Sequence, residues 1–163
     1  MPARFRLTEQ NDTLGIPWDL SEWIEGSLLQ EWIDQDIETF DWNRPELVEL
    51  LRANPGFRPK VWLRLIIYGY LTGVYGSEDL IACGHERDPF RAICGGAPPS
   101  RYELASFRRE NRGLLKWFLV EIFKRVLKEK FGQTLFPPGL KQRLIESAVL
   151  RIDLARDVDS NTD

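Results

Sequence analysis

An all-α, compact multi-helix fold containing a helix-turn-helix-like unit is predicted by three features of this 163-residue chain. Apolar residues recur at three- and four-residue spacing, the period of a helix with one buried face. No stretch alternates apolar and polar residues over a strand's length, and no Asn-Gly or Asp-Gly hairpin turn occurs. Proline and glycine fall between the periodic segments, where helices begin and end. With 43% hydrophobic and 12% aromatic residues, the chain has material for a well-buried core.

The elements follow in order. Ser21 is placed to cap a helix whose apolar face runs Ile24, Leu28, Trp32, then Ile33 and Ile37, with Gly26 interrupting its first turn. Asn43 and Pro45 open a second helix with Leu47, Leu50 and Leu51 inward, stopping near Asn54 before Pro55-Gly56. Pro59 opens KVWLRLIIYGYL, apolar on nearly every face and therefore the central buried helix. After a turn from Gly73 to Gly76, Ser77 caps a helix through Leu80, Ile81 and Cys83. Asp88-Pro89 then starts a short one ending at Cys94. Gly95 to Pro99 form a turn, and Ser100 with Glu103 has capping-box spacing for a helix reaching about Arg112. The segment GLLKWFLVEIFKRVLKEKF continues with Leu115, Phe118, Leu119, Ile122, Phe123 and Val126 inward. Lys124, Arg125, Lys128 and Lys130 lie towards its end, where cations suit the helix dipole. Phe136-Pro137-Pro138-Gly139 ends that helix, and a last one spans about Leu140 to Leu154. The expected division is an acidic helical head over residues 1–55, a main helical domain over 56–155 and a frayed polar tail over 156–163.

Charge is segregated along this chain of net charge −3. Residues 1–50 hold 3 Lys/Arg against 12 Asp/Glu, and residues 51–130 hold 15 against 8. Either the acidic head folds back onto the basic middle, or the middle meets a polyanion. The N-terminus has no basic-then-apolar signal region, and the apolar run around Leu65 to Leu71 is too short for a bilayer. With only two cysteines, a cytoplasmic, nucleoid-associated protein is expected.

On a helical wheel, Arg101, Arg108 and Arg112 fall within about 40° of one another. Arg109, Tyr102 and Ser106 flank them, while Leu104 and Phe107 turn to the core side. Guanidinium groups in such a row can bind phosphate or guanine. The alternative is a solvated face, and Glu103 and Glu110 dilute its charge. Elsewhere, chemistry is sparse. His85 is the single histidine, and with Cys83 and Cys94 it makes three possible zinc ligands, where structural sites take four. Glu31, Asp34, Asp36, Glu38 and Asp41 read as the wet face of a helix rather than a cation site. Asp153, Asp157 and Asp159 share one terminal segment and read as solvated. No phosphate loop occurs, so no cofactor, metal site or catalytic constellation is expected.

The segment FRPKVWLRLIIYGYLTGVYGSEDLIACGHERDPFRAICGG, followed by ELASFRRENRGLL, resembles the N-terminal (InsH-type) domain of bacterial insertion-sequence transposases. Arg58-Pro59, Gly69-Tyr70-Leu71, Gly73, Ser77, Phe90-Arg91, Leu104 and Phe107-Arg108 carry the likeness, over about residues 57–115. Where that family has Asp-His before its arginine helix, this chain has Ser100-Arg101, and it ends about where a ribonuclease-H-like catalytic domain would begin. The resemblance implies a non-catalytic DNA-binding protein that recognises terminal repeats as an accessory or regulator of DNA transposition. Its implied partners are double-stranded DNA and a full-length transposase, or a second copy in a homodimer. The alternative is a protein–protein module of the same ancestry, with the six tryptophans as interface anchors.

Overall fold

The computed structural model describes residues 12, 14–43 and 58–161. Within them the chain forms a 3-10 turn, Leu20–Glu22, and the helices α1 (Gly26–Thr39), α2 (Pro59–Leu71), α3 (Ser77–Glu86), α4 (Phe90–Cys94), α5 (Arg101–Glu110), α6 (Arg112–Phe131) and α7 (Pro138–Asn161). The expected all-α class is what the structure shows. Among the described residues no strand forms, and an isolated bridge pairs Asp19 with Thr72. The helix expected between Asn43 and Asn54 lies outside the described residues.

One apolar core holds these helices together. It takes Leu29, Trp32, Ile33 and Ile37 from α1, Leu65 and Ile66 from α2, Leu104 and Phe107 from α5, Phe118 from α6, and Leu144 and Ala148 from α7. Helix α2 runs through its centre with Leu63 and residues 65 to 71 buried, as its all-round apolar sequence predicts. Gly69 lets α3 approach: a Cβ there would lie 2.4 Å from Leu80 Cδ2 and 2.9 Å from the Val74 carbonyl oxygen. All six inward residues predicted for α6 are buried.

Three expectations are corrected. Ser21 does not cap α1. It sits in the 3-10 turn, where its N–H donates to Asp19 Oδ1 at 2.9 Å and its hydroxyl to the same oxygen at 2.6 Å. The chain bends before Gly26, so the helical period restarts there, Leu29 turns inward and Leu28 outward. Ser77 is the first residue of α3 rather than its cap, and it is fully buried. The third correction concerns the end of the chain: α7 continues to Asn161 instead of fraying after Leu154. Val158, one turn beyond Leu154, is 1% exposed, so the apolar stripe that holds the helix extends into the segment that reads as a polar tail.

The acidic α1 lies against basic residues of α2 and α6. Arg64 Nε meets Asp34 at 2.7 Å and its terminal nitrogen meets Glu38 at 2.8 Å, while Lys60 reaches Glu38 at 3.5 Å and Arg125 reaches Asp36 at 4.0 Å. Exposed pairs of this kind contribute about 0–1 kcal/mol each, so the buried apolar face of α1 fixes its position and the charges set its register. Part of the charge segregation is therefore answered within the fold.

Candidate nucleic-acid interface

The arginine helix is aimed by its turn. Gly95 and Gly96 take φ of 60° and 75°, a left-handed conformation that suits glycine. Pro98 packs against Gly84, and the capping box then forms. Ser100 Oγ accepts from the Glu103 N–H at 3.2 Å, and a Glu103 carboxylate oxygen accepts from the Ser100 N–H at 3.0 Å. Leu104 and Phe107 anchor α5 from below, Phe107 edge-on to Trp62 with ring centroids 5.6 Å apart.

Arg101, Arg108 and Arg112 do not form the exposed row that the wheel predicts, because α7 lies alongside. Arg108 is 6% exposed. Its guanidinium lies over the Tyr70 ring at 5.9 Å and donates to the Tyr75 carbonyl, to Ser77 Oγ at 2.6 Å and to the Asp159 carboxylate. It is a structural tie rather than the outward-facing side chain that the wheel predicts. Asp159, expected to be solvated, is its partner. Asp153 is likewise engaged, with Arg112 at 2.6 Å and Arg156 at 3.8 Å, and Asp157 pairs with Arg156 at 3.5 Å.

The other predicted residues stay near the surface. Arg101 pairs with Glu78 of α3 at 3.3 Å, and the half-buried Ser106 bonds Glu110 at 3.4 Å. Arg109 is exposed with no ion pair among the described residues, and Tyr102 is 79% exposed. Between α5 and α7 runs a groove of about 720 Å³. Its walls bring together Arg101, Tyr102, Arg109 and Arg112 with Arg156 and Ser160 of α7, while the deeply buried Tyr70, Ile152 and Ala155 lie at its base. Ser106 is not among the lining residues. Arg108 and Asp159 also line the groove, each occupied by the other.

Sequence reasoning missed Tyr70, Arg156 and the α7 wall. The one available signal was Val158 four residues after Leu154, which continues the helix past Arg156.

Cys83 and Cys94 are buried as free thiols, and burial pushes both above the usual thiol range. His85 beside them is exposed. Among the described residues no three His, Cys, Asp or Glu side chains gather as a metal site, and no helix is long and apolar enough to cross a membrane. Of the six tryptophans, Trp32 and Trp62 are buried, Trp18, Trp23 and Trp42 are half-buried, and Trp117 is 41% exposed. Comparisons of the chain with protein-family models, curated proteins and solved structures find no match.

Proposed function

We propose that this chain is a DNA-binding protein that holds the phosphate backbone in the groove between α5 and α7. The observation that carries this reading is the convergence of Arg101, Arg109, Arg112 and Arg156 on one open cleft in a chain whose net charge is −3. Guanidinium groups suit phosphate by bidentate geometry and permanent charge. Intramolecular carboxylates hold three of these arginines in place, and an incoming phosphate can replace such half-exposed partners at small cost. The transposase-like sequence pattern favours DNA over other polyanions and an accessory or regulatory part in transposition. The protein–protein alternative is weaker, because five of the six tryptophans are buried or half-buried.

Binding to duplex and single-stranded DNA across a salt series tests the proposal. Arg109→Ala and Arg156→Ala both alter exposed side chains, so the fold should survive. Each lost phosphate contact is expected to lower the slope of log affinity against log salt by about 0.7–0.9. If the double variant keeps both the affinity and the slope of the parent, the groove is not the binding surface.

A further inference from the structure

Resting on the DNA-binding reading, we infer that the groove takes an unpaired nucleotide of a single strand, and that Tyr102 stacks on its base. A helix that reads duplex DNA must present an uncovered polar face to the major groove, which is about 12 Å wide and accepts one helix. The arginine face of α5 is not uncovered. Ile152, Ala155 and Asp159 of α7 stand against it, and Arg108 at its middle is spent on Asp159, Ser77 and the Tyr75 carbonyl. The surface offered is concave.

Its lining suits one nucleotide. Ile152, Ala155, Tyr70 and the Arg108–Asp159 pair lie deep in the groove, while Arg109, Arg156 and Tyr102 stand at the rim. Flat bases leave water for apolar and aromatic surfaces, and phosphates stay with exposed guanidinium groups. A volume of about 720 Å³ also lies within the usual size of ligand clefts. Tyr102 is the second observation. It is 79% exposed, with no ring or hydrogen-bond partner among the described residues, beside a cluster of arginines. An aromatic ring presented in this way beside cations matches the stacking platforms of single-strand binders, which tolerate any base.

The test compares a labelled 12-nucleotide thymidine oligomer, a duplex of the same length and thymidine monophosphate, each titrated with the full chain. The expected result is tighter binding of the oligomer than of the duplex. Tyr102→Ala should weaken the oligomer about tenfold or more, and Tyr102→Phe should restore it. Monophosphate binding as tight as that of the oligomer, and equally sensitive to Tyr102→Ala, would identify a free nucleotide as the source of the same base and phosphate. Duplex bound at least as tightly as the oligomer, with Tyr102→Ala silent, would overturn the inference and leave DNA binding standing. Absence of binding to all three at low salt would overturn the function itself.

Discussion

Asp159, near the end of the last helix, caps the helix that begins at Ser77. One carboxylate oxygen accepts the Ser77 N–H at 2.8 Å and the other the Ser77 hydroxyl at 2.7 Å. The same carboxylate neutralises Arg108, so one side chain ties α3, α5 and α7 together. A helix N-terminus carries free N–H donors and a partial positive charge, both of which a carboxylate satisfies. Removing one partner of such a buried pair leaves the other charge stranded. Asp159→Ala is expected to cost about 3 kcal/mol, and a chain of this size then loses roughly 6–12 °C in Tm. A loss under about 1 kcal/mol in urea unfolding would show that the tie contributes little.

Arg151 and Asp12 make a second prediction. Both side chains are fully buried, 2.8 Å apart, and Arg151 also donates to the Ser147 and Pro17 carbonyls while lying between the Trp18 and Phe123 rings. Asp12 in turn accepts the Leu14 and Ile16 N–H groups, so the pair fastens the N-terminal segment to α7. Asp12→Ala should cost about 3–5 kcal/mol by leaving the guanidinium buried and unpaired. Adding Arg151→Met should recover part of that loss. A double variant no more stable than Asp12→Ala would mean that the packing of Asp12, and not charge, holds the segment.

The sequence made the fold legible wherever local chemistry decides structure. The period of α2 and α6, the capping box at Ser100 and the glycine turn before it needed no information from elsewhere in the chain. Arg108 was misread because a wheel shows which residues share a face, and says nothing of whether a distant helix covers it. Asp159 lies 51 positions from Arg108, and no local rule pairs them. Arg151 carried a weak signal, an arginine among Leu144, Ala148, Ile152 and Ala155. Such a residue is buried only if a carboxylate meets it, and Asp12 lies 139 positions away.

Asp36 supplies a pH-dependent prediction. Burial raises its carboxyl above the ordinary value of 3.8, Arg125 opposes that rise, and Glu121 adds to it. The folded state therefore holds the proton more tightly than the unfolded chain. The resulting stability is full below the ordinary carboxylate range and is lost as pH rises through the raised value. At neutral pH the ionised Asp36 is a net burden. Asp36→Asn removes that burden, while Gln35 still accepts from Arg125 at 2.9 Å. The variant should be more stable than the parent at neutral pH, with the difference shrinking in acid. A less stable variant at neutral pH would show that attraction to Arg125 outweighs burial.

The last prediction concerns strand cleavage. Metal-dependent cleavage and joining of DNA needs carboxylates free to hold two ions about 3.5–4 Å apart. Of the carboxylates nearest the groove, Asp159 is committed to Arg108 and Ser77, while Asp153 and Asp157, which a bound phosphate would release from Arg112 and Arg156, remain beside those guanidinium groups. A divalent cation entering there would meet the guanidinium groups before it displaced them, and their repulsion at these distances opposes its binding. Freeing Asp159 would also strand Arg108 in the interior, at the stability cost argued above. This chain should therefore bind DNA without nicking it in magnesium or manganese, as read by conversion of supercoiled plasmid. Cleavage by a clean preparation, abolished by Asp153→Asn or Asp157→Asn, would show that these carboxylates release their arginines and bind metal when DNA is present.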